Sequence, residues 1–243
     1  MNNAVQLIPI SNLALTFVPV IIVIGILYRW SLDARTSIYA VIRMLIQLLL
    51  IGYALVYIFE TDNAWIVVLV LAIMLLASSW IAIRTIKQKR SCDYLRALIS
   101  ISISGICTLW LITQAVLEIQ PWFLPHYMIP LAGMIFANSM NSVSLAAERY
   151  ESEIANGVSS IKARHTALQA SLIPTINMLF AVGLVSLPGM MTGQILSGVS
   201  PHVAVRYQIM VMCMIFGSAG ISSACFLTLA KSNFATKMKD QER

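Results

Sequence analysis

The side chains able to do chemistry in this chain are few, and most sit in apolar surroundings. Arg43 lies in the run SIYAVIRMLIQLLLIG, with Gln47 one helical turn further along the same face. The run PLAGMIFANSMNSVSLAAER carries Asn138, Ser139, Asn141, Ser142 and Ser144, and a later apolar run carries Thr175 and Asn177. Amides and hydroxyls at such positions need partners, because hydrocarbon offers none. A buried arginine costs about 2.5–3.5 kcal/mol on insertion scales, so Arg43 either snorkels to an interface or belongs to an inward-facing polar pair. Counted at 1.5 Å per residue, Arg43, Asn141 and Asn177 each lie about 9 Å from the nearer span end. Three polar side chains on three helices at one depth describe either interhelical glue or a layer on a transport path.

The charge-free stretch SLPGMMTGQILSGVSPH holds a second group: Pro188, Gly189, Met190, Met191, Gly193 and Gln194. Helix breakers in an apolar segment indicate a short re-entrant or interfacial element, and its functional reading is an outer gate. The two methionines suit a soft cation such as Cu(I) better than iron, and methionine is also a common gap-filler. A third group, Glu148, Arg149, Glu151, Glu153, Lys162 and Arg164, flanks the turn signal Asn156-Gly157. Ser160 reads as the N-cap of the following helix, with Ile154, Val158, Ile161, His165 and Leu168 as one largely apolar stripe. A helical hairpin over about 148–165 of this kind can dock a partner protein, or serve only as a connector.

The elements that must position these residues are membrane helices. Of 243 residues, 59% are hydrophobic and 11% charged, against about 25% charged in soluble domains. This excludes a disordered chain, a nucleic-acid-binding domain and an ordinary soluble enzyme. Seven apolar spans are expected, at about 10–28, 37–58, 64–84, 98–117, 128–147, 170–187 and 205–229, each near the roughly 20 residues a bilayer requires. The fold class is an all-α polytopic bundle of about seven transmembrane helices, forming one domain over 1–243. Arg29, Arg35, Arg84, Lys87, Lys89, Arg90, Arg96, Arg149, Lys162, Arg164, Lys231, Lys237, Lys239 and Arg243 all fall on one side of that arrangement. Of the 16 Lys and Arg, only Arg206 lies on the other side and Arg43 within a span. The positive-inside rule then places the N-terminus outside and the C-terminus in the cytoplasm.

Several chemistries find no support. Cys92, Cys107, Cys213 and Cys225 form no C-x-x-C pair, and neither a phosphate loop nor H-E-x-x-H occurs. Gly133, Ala137 and Asn141 form a small-residue stripe suited to close packing, as do Ser100, Ser104 and Thr108, and Gly217 with Ser218 and Ser222. Ion-coupled carriers place Asp, Glu or His inside spans. The ten acidic residues here fall in connections, termini or their edges, which disfavours a secondary transporter.

PLAGMIFANSMNSVSLAAER, followed by SLIPTINMLFAVGLVSLPGMMTGQILSG and PHVAVRYQIMVM, resembles the FetB-type permease family of ABC transporters. Arg43 and Gln47 match that family's early Arg/Gln span, and the resemblance runs from about residue 37 to 230. It implies a non-enzymatic permease of the inner membrane, working as a homodimer with a separate cytoplasmic ATPase that binds ATP and magnesium. The chain itself is expected to bind no cofactor and no nucleic acid. The implied cargo is iron or another metal, since bacterial members are implicated in iron export and plant relatives in aluminium tolerance. The residues before Gly157 and its spacing from Pro174 depart from the E-A-A-x-x-x-G loop of importer permeases, so that coupling geometry does not carry over.

Arg43 separates the two readings of the polar layer. Snorkelling needs only a long cationic side chain, whereas a layer with Asn141 and Asn177 uses the planar guanidinium and its five donors. Arg43→Lys is predicted to insert normally and lose most transport, as is Arg43→Ala. Reconstituted transport and protein yield, measured together, decide this: full activity in the lysine variant removes Arg43 from the pathway.

Overall fold

A computed structural model describes residues 8–61, 63–86 and 91–241, with the side chains of Thr85, Ser91 and 231–241 left aside. Lys87, Lys89, Arg90 and Arg243 of the basic clusters lie outside the described residues. The described elements are helices, joined by short turns and loops, with one isolated β-bridge between Val182 and Ser186. Helices α1 (Ile10–Leu15), α2 (Val18–Arg29) and α3 (Ala34–Phe59) form one unit, and the helices from α4 onward form a second.

In the first unit the expected span at 10–28 is divided. The Thr16 hydroxyl donates to the Leu13 carbonyl at 2.7 Å, and Pro19 occupies the first turn of α2, where its missing N–H costs nothing. Asp33 caps α3, its carboxylate accepting from the Thr36 hydroxyl and, at 3.1 Å, from the Thr36 backbone N–H. These bonds hold the Asp33 carboxyl below its ordinary pKa. The cap is therefore present above that ordinary value and is lost as pH falls through the lowered one.

The second unit comprises α4 (Ala64–Ala82), α5 (Ser91–Trp110), α6 (Pro125–Ala155), α7 (Ser160–Ala181), α8 (Gly189–Leu196) and α9 (Pro201–Gln241). Asn63 caps α4, a short 3-10 turn at Ile83–Thr85 closes it, and α5 runs directly into a π-helical segment, Leu111–Val116. Helix α6 is central and packs on α4, α5, α7 and α9. Its buried face presents Leu131, Ala132, Ile135, Phe136, Ser139, Ser142, Val143 and Ala146, at the three- and four-residue spacing of one helical face.

By length and composition, five described helical segments can cross a membrane: Ile10–Arg29, Ala34–Phe59, Ala64–Ala82, Cys92–Val116 and Pro201–Ala230. Helices α6 and α7 are long enough at 31 and 22 residues, but their asparagines, serines and hairpin charges dilute their apolar content. Several expected boundaries move. Helix α5 begins well before 98, and the Arg96 guanidinium pairs with Asp93 at 2.7 Å in its first turns. Helix α7 stops at Ala181 rather than 187, since Gly183 adopts φ +83° and its N–H turns back to the Ser186 carbonyl at 3.0 Å. The charge-free stretch beyond it contains α8.

Hydroxyls join the central helices. The Ser104 hydroxyl of α5 and the Ser139 hydroxyl of α6 both donate to the Ser218 carbonyl of α9, at 2.8 and 3.3 Å. One turn along, Ser142 lies 2.7 Å from the Ser223 hydroxyl and 3.3 Å from the Ser171 carbonyl of α7. All six serines are buried. Small side chains allow this approach, and each hydroxyl gains a partner that lipid cannot offer.

Gly105 marks the tightest contact. A Cβ there would stand 2.5 Å from the Phe136 ring, and Phe136 is itself buried. Gly105→Ala is predicted to destabilise the second unit by about 1–3 kcal/mol, the usual cost of overpacking. Gly25→Ala meets nothing within 4 Å and serves as the control. Thermal unfolding in detergent checks this; an equal midpoint for the two variants would refute the tight contact.

Candidate functional site

The polar side chains of the expected layer are distributed over both units. Arg43 and Gln47 lie on α3, the first partly buried and the second exposed. On α6, Asn138 is half-buried and donates to the Met134 carbonyl at 2.8 Å. Asn141 is exposed, as is Asn177 on the adjoining α7, and neither side chain makes a hydrogen bond among the described residues. Ala137 and Asn141 thus lie on an exposed face of α6, while Gly133 approaches Met74 of α4 at 3.3 Å from its Cβ position. The stripe read as a packing seam is, over Ala137 and Asn141, an open polar face. The packing seam is the serine-rich face on the other side of the helix.

The Ser142–Ser171 bond sets the register of α6 against α7, which fold back on each other through a short turn. Counting along both helices from that bond, Asn177 comes level with about residue 136 of α6. The α6 amide nearest that height is Asn138; Asn141 lies about 7 Å from the height of Asn177, toward the Gly157 turn.

The hairpin at 148–165 has a defined geometry. Helix α6 ends with Asn156 as C-cap, followed by Gly157 at φ +77°, a left-handed conformation glycine adopts without penalty. The Val158 N–H returns to the Glu153 carbonyl at 3.1 Å and the Gly157 N–H to the Ile154 carbonyl at 3.0 Å. This is a Schellman motif. The N-cap of α7 is Ser159, one residue before the expected Ser160, and it makes no side-chain cap bond. The Ser160 hydroxyl instead lies 3.1 Å from the Tyr150 hydroxyl and ties the two arms together.

The expected apolar stripe divides as well. Ile154, Val158 and Leu168 pack onto the core, whereas Ile161 and His165 are exposed. The buried face of α7 is Ala163, Ala167, Ser171 and Thr175, a four-residue repeat of small residues. Among the charged residues, Arg149 pairs with Glu153 at 2.7 Å. Glu148, Arg149 and Lys162 are exposed, Glu151, Glu153 and Arg164 half-buried. The Arg164 Nε is buried without a hydrogen-bond partner.

Beyond α7, Pro188 takes the N-cap position of α8 in extended geometry, and the Thr192 hydroxyl reaches the Pro188 carbonyl at 3.1 Å. Gly189, Met190 and Gly193 are exposed, while Met191 and Gln194 are half-buried. The tip between α7 and α8 is apolar and open, with Leu184 and Val185 more than four-fifths exposed. Helix α8 packs on α9.

Two features escaped sequence reasoning. One is the π-helical segment at Leu111–Val116, which leads to a cavity of about 150 Å³ lined by Leu117, Ile119, Gln120, Leu124, Tyr127 and Tyr207. The other is Gln208, buried on α9 with its Oε1 unpaired. An apolar run gives no local signal for either, because a π-turn and a buried amide depend on what the neighbouring helices leave room for. No three His, Cys, Asp or Glu side chains come together as a metal-holding group among the described residues.

Comparison with known proteins places this arrangement. The uncharacterised protein family UPF0014 matches residues 10–235. A UPF0014 membrane protein of Synechocystis is 39% identical, over 71% of this chain and 73% of its own. The probable iron export permease protein FetB of Escherichia coli K12 is 35% identical, over 91% of each chain. The protein ALUMINUM SENSITIVE 3 of Arabidopsis thaliana is 32% identical, over 92% of this chain and 86% of its own. No solved structure matches. With its several membrane-crossing helices and a family match over nearly its whole length, the chain belongs to the UPF0014 family of multi-pass membrane proteins.

Proposed function

We propose that this chain is the permease subunit of an ABC exporter that carries iron or another metal out of the cytoplasm. The observation that carries this reading is its 35% identity, over 91% of both chains, to a protein named a probable iron export permease. In this reading α6 and α7 also cross the inner membrane, supported by their length and their shared core with α4, α5 and α9. Seven crossings then put the N-terminus outside and the Gly157 hairpin and C-terminus in the cytoplasm, with the basic residues beside them.

Two permease copies form the pathway, and a cytoplasmic ATPase binds ATP with magnesium and engages the hairpin. Exposed Glu148, Arg149 and Lys162, beside half-buried Glu151, Glu153 and Arg164, supply a mixed-charge surface for that contact. The Schellman turn and the Tyr150–Ser160 contact stiffen the hairpin. A stiff lever transmits a push that a floppy loop would absorb. In the second unit Asn138, Asn141 and Asn177 present amides to the cargo, and in the first unit Arg43 and Gln47 are the polar side chains of α3 assigned to the pathway. Arg43 repels a bare cation, so it holds a gate or receives an anionic metal complex. Cargo leaves past Pro188, Gly189, Met190, Met191, Gly193 and Gln194. The alternative, an ion-coupled secondary transporter, lacks the intramembrane acid or histidine that such coupling uses.

Topology is tested with fusions at the C-terminus: alkaline phosphatase should be inactive and a fluorescent protein bright. The reverse pattern would sink the seven-crossing arrangement. For coupling, Glu151→Lys combined with Glu153→Lys should reduce co-purification of the ATPase several-fold while the permease still inserts. Unchanged complex yield and unchanged ATPase stimulation would reduce the hairpin to a connector.

A further inference from the structure

Helix α7 ends partway along the bundle. Ser139 meets Ser218 and Ser142 meets Ser223, so α6 and α9 run in the same direction. Ser171 of α7 lies at the second of these levels. Measured from there at 1.5 Å per residue, Ala181 at the end of α7 comes level with about Cys213 of α9. Helix α9 continues about 18 Å further, to Pro201, and Arg206 stands about 10 Å beyond the level of Cys213. No Asp, Glu, Lys or Arg occurs between Arg164 and Arg206. The tip that follows α7, residues 182–187, therefore lies at hydrocarbon depth in a chain that crosses the membrane.

The tip is a turn, closed by the bridge between Val182 and Ser186. The Gly183 N–H donates to the Ser186 carbonyl at 3.0 Å. Those of Leu184, Val185 and Ser186 all donate to the Ala181 carbonyl, at 3.2, 2.8 and 3.1 Å. No donor among the described residues reaches the carbonyls of Gly183, Leu184 and Val185, and the Ser186 hydroxyl makes no hydrogen bond among them. The side chains around these groups are apolar and bare: Leu184 is 91% exposed, Val185 85%, Phe180 78% and Leu187 63%. Lipid accepts such side chains but offers the carbonyls no donor, and irregular backbone at this depth occurs only against protein or a water-filled cavity. Water satisfies the carbonyls but leaves four large apolar side chains wet. A second protein surface within the bilayer satisfies both.

We propose that residues 180–187 are where two copies of this chain meet in the bilayer, tip against tip about a two-fold axis. The proposal rests on the two-copy export reading above and names the segment that joins the copies. In that reading a second copy is the partner that shares the membrane, since the ATPase stays in the cytoplasm. A two-fold contact is self-complementary, each patch meeting the same patch of the other copy. The tip carries both halves of such a contact. Phe180, Leu184, Val185 and Leu187 pack across the axis, and the Ser186 hydroxyl of each copy donates to a tip carbonyl of the other. Exchange of hydroxyl-to-carbonyl bonds is the same device that joins helices inside the second unit.

The test uses the full-length chain in phospholipid vesicles, with Cys92, Cys107, Cys213 and Cys225 replaced by alanine for crosslinking. Leu184→Cys and, separately, Val185→Cys should form disulfide-linked dimers in most of the chain under mild oxidation. Leu69→Cys, 60% exposed on α4, is the control and should crosslink at least tenfold less. Leu184→Ala combined with Val185→Ala should weaken self-association in vesicles at least tenfold, read by single-molecule photobleaching. Its unfolding temperature should match wild type, because both side chains stand almost fully exposed in one copy; this separates a lost contact from a lost fold. Crosslinking at Leu184→Cys no stronger than at Leu69→Cys, or an alanine variant that associates as tightly as wild type, would overturn the contact and leave the two-copy reading with its interface elsewhere. A disulfide within one chain between Leu184→Cys and Leu49→Cys would overturn it as well, showing that the chain covers its own tip. Metal efflux from vesicles holding permease and ATPase is followed in parallel. Efflux from wild-type chains that photobleach as monomers overturns the two-copy reading and the contact together. Absence of efflux where the tip crosslinks overturns the export reading and leaves the contact standing.

Discussion

The second unit depends on hydroxyl-to-carbonyl contact between helices that approach closely. Lipid tails are as apolar as leucine, so helices in a bilayer gain little by burying apolar surface against one another. Ser104, Ser139, Ser142, Ser171, Ser218 and Ser223 supply close approach and a polar partner together, and they do so at two adjacent levels of four helices. Each bond contributes modestly, about 0.6 kcal/mol on average in membrane bundles. Their greater effect is on register, since a small sliding of α6 along α9 would break both levels at once. Gly105 beneath Phe136 adds a steric stop at the same place.

That register is what makes the remaining polar side chains interpretable. With the serine face of α6 committed to the core, Asn141 and Ala137 are left on an exposed face, and Asn177 on α7 is exposed as well. An amide in a crossing helix without an internal partner needs water, cargo or another helix. The proposed pathway supplies the first two, and amides in place of carboxylates fit weak, transient contact with a passing metal species. The same register shows α7 ending about 18 Å short of the level at which α9 begins. The break falls at Gly183, whose positive φ an L-residue adopts only with strain.

At the opposite end, rigidity is built from different parts. The Gly157 turn closes the last carbonyls of α6, and the Tyr150–Ser160 contact bridges the arms. Of the charged residues near this turn, Glu148 and Lys162 are exposed, and Arg149 pairs with Glu153 at 2.7 Å. In the proposed complex, movement begins at this end and its consequence is felt at the α7–α8 break, with the serine levels as the rigid middle.

Composition and hydropathy by themselves determined that the chain is helical and crosses a membrane several times, because burying backbone amides in hydrocarbon leaves helices as the only option for apolar runs of this length. The string LPGMMTGQIL and the asparagine-bearing run were also enough to indicate the family, and the helix breakers between 186 and 202 already marked an irregular element there. Which serines bond across helices, which face of α6 stays open, where α7 stops and that Gln208 is buried were decided only by tertiary structure. Serine, asparagine and glutamine look alike in a hydropathy window, whether they face lipid, a neighbouring helix or a path. Their roles follow from the rotation and register of the packed helices, and those are set by contacts between residues as far apart in the chain as Ser104 and Ser218.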